Sequence, residues 1–225
     1  MADRVERIGL ATLYLGDCRE IMPALEADVI VTDPVWPNCP ADSIPGWQDP
    51  WGLWREACAL MPATKRIVAV VRADSDPRFF VHLPPLPFFR SILLPYVIPG
   101  YIGRKLGGDE MAYWFGSPIA PAPGRMLIPG RGPSAQPGGR KANGHPMSRA
   151  QRHFDWLVGW CADAGETVLD PFMGSGTTGV AAVKNGLPFV GCEVHPPFFD
   201  LACRRLEDAQ RQADLFLARQ EPSHA

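Results

Sequence analysis

TVLDPFMGSGTTGVAAVKNGLPFVGCEV, residues 167–194, is the stretch that decides the fold. Thr167–Asp170 is a short apolar run ending on a carboxylate and reads as a buried strand. Gly174 and Gly176 let the backbone turn tightly and approach a ligand closely. Thr177 to Asn185 reads as a helix, and Phe189 to Val194 as a second strand that carries Glu193 near its end. Strand, glycine turn, helix and strand make the repeating unit of an α/β fold, in which ligands bind outside the carboxyl ends of the strands. Glu193 follows the turn by about 20 residues, where a carboxylate can hold two ribose hydroxyls. The unit therefore points to a cofactor that contains a nucleoside. Gly174, Gly176 and Gly179 match the dinucleotide pattern G-x-G-x-x-G formally, but Asp170-Pro171-Phe172 ahead of them is foreign to that class. No G-x-x-x-x-G-K-[ST] occurs, which argues against a P-loop.

Outward from this unit the chain keeps alternating. Upstream, a helix is expected from about Arg149 to Ala164, with Phe154, Leu157, Val158 and Cys161 on one face. Downstream, a long helix should run from Pro196 to about Leu217. At the other end, ATLYLG (11–16) reads as a strand, and Cys18 to about Leu25 as a helix. DVIVT (28–32) and RIVAVVR (66–72) are buried strands. Between them, Pro50 to Met61 is a helix with Asp49 as its N-cap. Residues 78–115 should hold further strands, ending in MAYWFG (111–116). Strands alternating with helices over 225 residues predict one α/β domain with a largely parallel, twisted sheet and helices on both faces.

The composition narrows the partners. A net charge of −2 gives no global basic signal, so nucleic acid would need a local basic patch. Residues 117–148 supply one. They contain no acid, are punctuated by Gly and Pro, and carry Arg125, Arg131, Arg140 and Lys141. Little regular structure is expected there; it is either a solvated surface loop or a functional one, since loops of this length are uncommon in compact domains unless functional or disordered. The six cysteines form no C-x-x-C pair, which argues against a zinc site or a disulfide framework and fits a reducing cytosol. MADRVERIGL does not read as a secretory signal, and no run reaches the ~20 apolar residues of a membrane span.

LDPFMGSGTTG (169–179) resembles the cofactor motif of the β-group DNA amino-methyltransferases. Other segments fall in that group's order: LYLGDC (13–18), then TDPVW (32–36), the basic stretch, and GHPMSR (144–149). The resemblance covers roughly residues 11–36 and 144–207; the middle of the chain shares only the layout. It implies a Rossmann-like methyltransferase fold with circularly permuted motif order, the catalytic motif N-terminal and the cofactor motif C-terminal. It also implies S-adenosylmethionine as cofactor and double-stranded DNA as partner, with residues 117–148 as the target-recognition loop. A bacterial cytosol or nucleoid is the expected location. The protein would be a restriction-modification, orphan or phage-type enzyme, and a homodimer would use exposed aromatics among residues 78–101.

The resemblance also assigns roles. The family's tetrapeptide is Asp-Pro-Pro-Tyr or a variant. Asp33 would accept a hydrogen bond from the exocyclic amine, Pro34 would offer its carbonyl, and Trp36 would stack on the flipped base. An acid at the first position favours adenine N6 over cytosine N4. Val35 replaces the family's second proline, restoring an N–H and some freedom in φ, and activity is expected to survive. Alternatively, TDPVW is an ordinary strand end with Trp36 in the core. For the cofactor, Phe172, Gly174 and Gly176 would border the methionine part, Asp170 its ammonium and Glu193 the ribose, with Ser175 and Thr177 also in contact with it. Asp17 and Cys18 would lie near the cofactor's adenine, and Asp33 would also contact the cofactor. His145 and Arg149 come from GHPMSR, which is similar to the family's His-Pro-Thr-x-Lys-Pro; His145 would either contact the cofactor or stabilise the turn. Met147 stands in place of Thr and Arg149 in place of Lys, and Arg149 would pair with the cofactor carboxylate. Other readings are a DNA-binding protein of the same fold impaired by Val35, and an enzyme acting on RNA or a free base. A dehydrogenase fits least.

Overall fold

The computed structural model describes residues 2–39, 42, 44–97, 100–102, 105–121, 123, 128–136 and 148–220, without the side chains of 100–102, 105–107 and 216–220. Ten strands are described: β1 (Arg4–Ile8), β2 (Ala11–Leu15), β3 (Val29–Thr32), β4 (Arg66–Arg72), β5 (Phe88–Leu94), β6 (Gly100–Ile102), β7 (Lys105–Gly107), β8 (Glu110–Gly116), β9 (Val168–Asp170) and β10 (Phe189–Glu193). The α-helices are α1 (Cys18–Ile21), α2 (Pro50–Ala59), α3 (Gln151–Cys161), α4 (Thr177–Lys184) and α5 (Pro196–Gln220). Eight strands form one sheet in the order β1-β2-β10-β9-β3-β4-β8-β5, and β6 and β7 pair separately. The central five, β2 to β4 in that order, run parallel. β1 is antiparallel at one edge, and β8 is antiparallel to both β4 and β5 at the other.

Both faces of the sheet are covered, which explains the unbroken apolar runs of β3 and β4. Val29, Val31, Val68 and Val70 join a core with Phe154, Leu157, Val158 and Cys161 of α3, Val180 and Val183 of α4, and Phe199 and Leu206 of α5. On the opposite face, Ala69 and Val71 pack with Trp36, Trp54 of α2, Phe79 and Phe80. The expected α/β architecture is thus present: a twisted, largely parallel sheet between two layers of helices.

Local differences have local causes. The helix expected from Cys18 to Leu25 stops at Ile21, and a 3-10 turn takes Met22–Ala24. Pro23 has no N–H to continue the ladder, and its ring crowds the preceding turn. β1 was not expected; its side chains are mostly exposed and charged, so it lacks an apolar pattern. Asp49 caps α2 as expected, accepting the Gly52 N–H at 2.9 Å. Part of the basic stretch is more ordered than its composition suggests. Residues 128–136 run parallel to β5, with bridges Leu93–Arg131 and Tyr96–Ala135. Backbone hydrogen bonds between Leu93 and both Gly130 and Gly132 hold them there, as does the Arg90 guanidinium on the Ile128 carbonyl. Among the described residues, no helix is long and apolar enough to cross a membrane.

Candidate active site

A cavity of about 270 Å3 opens at the carboxyl ends of β3, β9 and β10. The topology brings these ends together, because β9 pairs with both β3 and β10. Asp33 follows β3, Asp170 ends β9 and Glu193 ends β10, so three carboxylates face one space.

The glycine turn is built from two of them. Gly174 and Gly176 have φ of 54° and 77°, in the left-handed region. A Cβ on Gly176 would also sit 2.8 Å from Leu206 and 3.0 Å from Ala202 of α5. Asp170 is buried and accepts from Thr32 Oγ1 (2.8 Å), Thr178 Oγ1 (2.6 Å) and the Phe172 N–H (3.1 Å). Burial raises its carboxyl to about 6, against these hydrogen bonds. Asp170 was expected beside a cofactor ammonium; its hydrogen bonds here tie β3, the turn and α4 together. Glu193 accepts the Gly174 N–H at 2.8 Å and the His195 N–H at 2.7 Å, and burial raises it to about 7. Each of its oxygens keeps acceptor capacity for a hydroxyl. Behind the turn, Arg205 of α5 donates to the Ser175 carbonyl, to Ser175 Oγ (2.9 Å) and to Gln151 Oε1 (2.8 Å).

Of the expected cofactor residues, Asp17, Cys18, Phe172, Gly174, Ser175, Thr177 and Glu193 line the cavity together. Gly176 shapes the turn without lining it. Asp17 also caps α1 through the Arg19 N–H and pairs with the Arg19 guanidinium, which holds its carboxyl below the ordinary range.

Asp33 and Arg149 line the same cavity and pair with each other. Arg149 was expected to face a cofactor carboxylate. In the structure it is buried at the cavity wall and grips Asp33 with two arms, Nε to Oδ2 at 2.6 Å and Nη2 to Oδ1 at 2.7 Å. Its third nitrogen reaches Glu110 Oε1 at 2.8 Å. Burial raises the Asp33 carboxyl to about 6; Arg149 opposes the shift and Glu110 adds to it. Trp36 is 1 % exposed and packs in the core. Its ring carries the Arg149 guanidinium at 4.3 Å from the centroid, over the face expected to receive a base. Val35 is buried and lines the cavity.

Glu110, Tyr96 and His153, which complete this cluster, carry no sequence signal: they lie far apart in the chain, and nothing local marks an acid at the start of β8 as buried. Thr178 had a signal in hindsight, inside the G-S-G-T-T-G run. Of the basic residues, Arg131 is exposed along the β5 edge. Arg125, Arg140, Lys141 and His145 lie outside the described residues. Among the aromatics expected at a dimer surface, Phe79 and Phe80 are core residues and Phe88 is exposed.

Comparison with known proteins bears on the family and the fold. Residues 108–204 match the family described as DNA methylase. The chain is similar to the DNA adenine methyltransferase YhdJ of Escherichia coli K12, 32 % identical over 75 residues, which is 33 % of this chain and 26 % of that protein. It is also similar to the type II methyltransferase M2.DpnII of Streptococcus pneumoniae, 35 % identical over 66 residues, 29 % of this chain and 25 % of that protein. The alignments thus span about a quarter of these curated relatives. Among solved structures, the M1.HpyAVI–SAM complex superposes with a TM-score of 0.67 at 22 % identity, covering 87 % of this chain and 98 % of that one. These likenesses bear out the family resemblance and the fold.

Proposed function

We propose that this chain, a relative of the N6-adenine and N4-cytosine DNA methyltransferases, transfers a methyl group from S-adenosylmethionine to the exocyclic N6 of an adenine flipped out of duplex DNA. One observation carries the reading. The Asp33 carboxylate, the Gly174–Gly176 turn and the Glu193 carboxylate converge on a single cavity at the ends of three adjacent parallel strands.

The residues suit the chemistry. The lone pair of an exocyclic amine is delocalised into the ring, so the amine is a poor nucleophile. Asp33 accepts a hydrogen bond from it and the Pro34 carbonyl offers a second, which favours the tetrahedral nitrogen that can attack. Glu193 holds the ribose hydroxyls, and Phe172 walls the cavity beside it. The bound cofactor supplies a methyl group on a positively charged sulfur. Residues 117–148 contact the DNA, with Arg131 on phosphate or a base edge. The aspartate at the head of the tetrapeptide favours adenine over cytosine.

The test is methyl transfer from labelled S-adenosylmethionine to unmethylated genomic DNA, digested to nucleosides and identified by mass. N6-methyladenine supports the proposal. N4-methylcytosine would keep the mechanism and overturn the base. No methylated nucleoside, with cofactor bound, would overturn catalysis in favour of a DNA-binding role, and Val35→Pro would then be the variant to test for restored transfer.

A further inference from the structure

Asp33 does not stand alone in the fold. Arg149 uses all three guanidinium nitrogens, two on Asp33 and one on Glu110 Oε1. Glu110, the first residue of β8, is 1 % exposed. It also accepts from the Tyr96 hydroxyl at 2.5 Å, and its Oε2 lies 3.2 Å from His153 Nδ1. The other nitrogen of that buried ring is 3.0 Å from the Pro95 carbonyl. Both partners of the ring are acceptors. Two carboxylates, a guanidinium and an imidazole therefore sit in one buried network, with the Trp36 ring under the guanidinium plane.

We propose that Glu110 is a positioning residue for this site: through Arg149 it fixes the orientation and the charge of the Asp33 carboxylate. The inference rests on reading Asp33 as the acceptor for the target amine. Arg149 uses its planar fork to hold both oxygens of Asp33 while its third nitrogen reaches Glu110, a bidentate geometry that a lysine's point charge does not reproduce. Without Glu110 the guanidinium loses its anchor on the far side, and its whole charge falls on Asp33. A carboxylate facing an uncompensated cation is a weaker acceptor. With Glu110 present the cation is shared, and Asp33 keeps lone pairs for the substrate amine. Glu110 itself stays ionised: burial would raise it, but Arg149, His153 and Tyr96 hold it below the ordinary range.

The experiment compares the full chain with Glu110→Gln and Arg149→Lys. Two readouts are taken: single-turnover methyl transfer at saturating cofactor and DNA across pH 5–9, and the titration of 13C-labelled Asp33 carboxyl without DNA. The charged and titrating groups around Asp33 are Arg149, Glu110, Tyr96, His153 and Asp170. Glu110 adds to the upward shift of Asp33, so Glu110→Gln should move the Asp33 midpoint, and with it the acid limb of the rate, to lower pH. The plateau rate should fall roughly ten- to hundred-fold, as for a misplaced reacting group. Cofactor affinity should stay within about three-fold of the parent, since Glu110 does not itself line the cavity. Arg149→Lys should lower the plateau likewise. An unshifted Asp33 midpoint in Glu110→Gln would overturn the proposal, as would a rate loss matched by an equal loss of cofactor affinity. Should Glu110→Gln fail to fold, Arg149→Lys decides: a parental plateau rate would overturn the proposal. The titration needs no turnover, so a parent protein that binds cofactor without methylating any DNA would unseat the functional reading alone.

Discussion

A carboxylate that serves as a hydrogen-bond acceptor must stay ionised, and burial works against Asp33. With its carboxyl raised to about 6, Asp33 is charged at neutral pH and becomes protonated as the pH falls through that value. Methyl transfer should therefore be flat above pH 7 and decline on the acid side, which a rate–pH profile checks. Asp33→Ala should lower transfer at least 100-fold, by analogy with the loss of one preorganised electrostatic contact. Its cofactor affinity, read by equilibrium dialysis, should stay within a few-fold. Val35 is buried against the cavity and needs no proline to hold its neighbours, so Val35→Pro should leave the transfer rate within a few-fold. Asp33 was legible from the sequence, since an acid following a buried strand reads locally. The grip of Arg149 was not, because its partner lies 116 residues away. The basic residue of GHPMSR pointed to an anion; which anion depends on how the chain folds back.

At the scale of the element, the glycine turn and the ends of β9 and β10 act together. Gly176 combines a left-handed φ with helix α5 against its missing side chain. Gly176→Ala should cost about 1–2 kcal/mol from the backbone alone. Displacing Leu206 or Ala202 adds to this, and both melting and cofactor affinity should fall. Glu193 sets a pH dependence of its own. Its carboxyl is raised to about 7, and a protonated carboxyl gives up acceptor capacity toward a ribose. Cofactor affinity should therefore be full above pH 8 and decrease as the pH falls through about 7, in titration calorimetry. Glu193→Gln should bind weakly at every pH and remove that slope. The strand–turn–helix unit was legible because its signals lie within a few residues of one another. The start of α2 was legible because Asp49 marks it as a cap, whereas the expected first helix ran past Pro23 to Leu25 although that proline ends it.

Over the whole molecule, the proposed contact of the basic stretch with DNA would show in how affinity responds to salt. If Arg131 neutralises one phosphate, Arg131→Ala should make the plot of log affinity against log salt shallower by about one. An unchanged slope would remove Arg131 from the interface. The layering of the fold was also legible, since apolar strands alternating with amphipathic helices demand a sheet covered on both sides. The antiparallel additions at the edges were not. β1 lacks an apolar pattern, and the alignment of residues 128–136 beside β5 depends on backbone pairing that no composition reports. The neighbours β3 and β9 carry one further consequence. Thr32 and Asp170 touch at 2.8 Å although 138 residues separate them. During synthesis, β3 and β4 leave the ribosome long before β9 and β10 exist to flank them. The cofactor pocket then forms only after most of the chain has been made. Until that moment a nascent chain exposes the sticky, unpaired flank of β3, and aggregation there, more than any loss of final stability, is the hazard that slow translation or early truncation would bring.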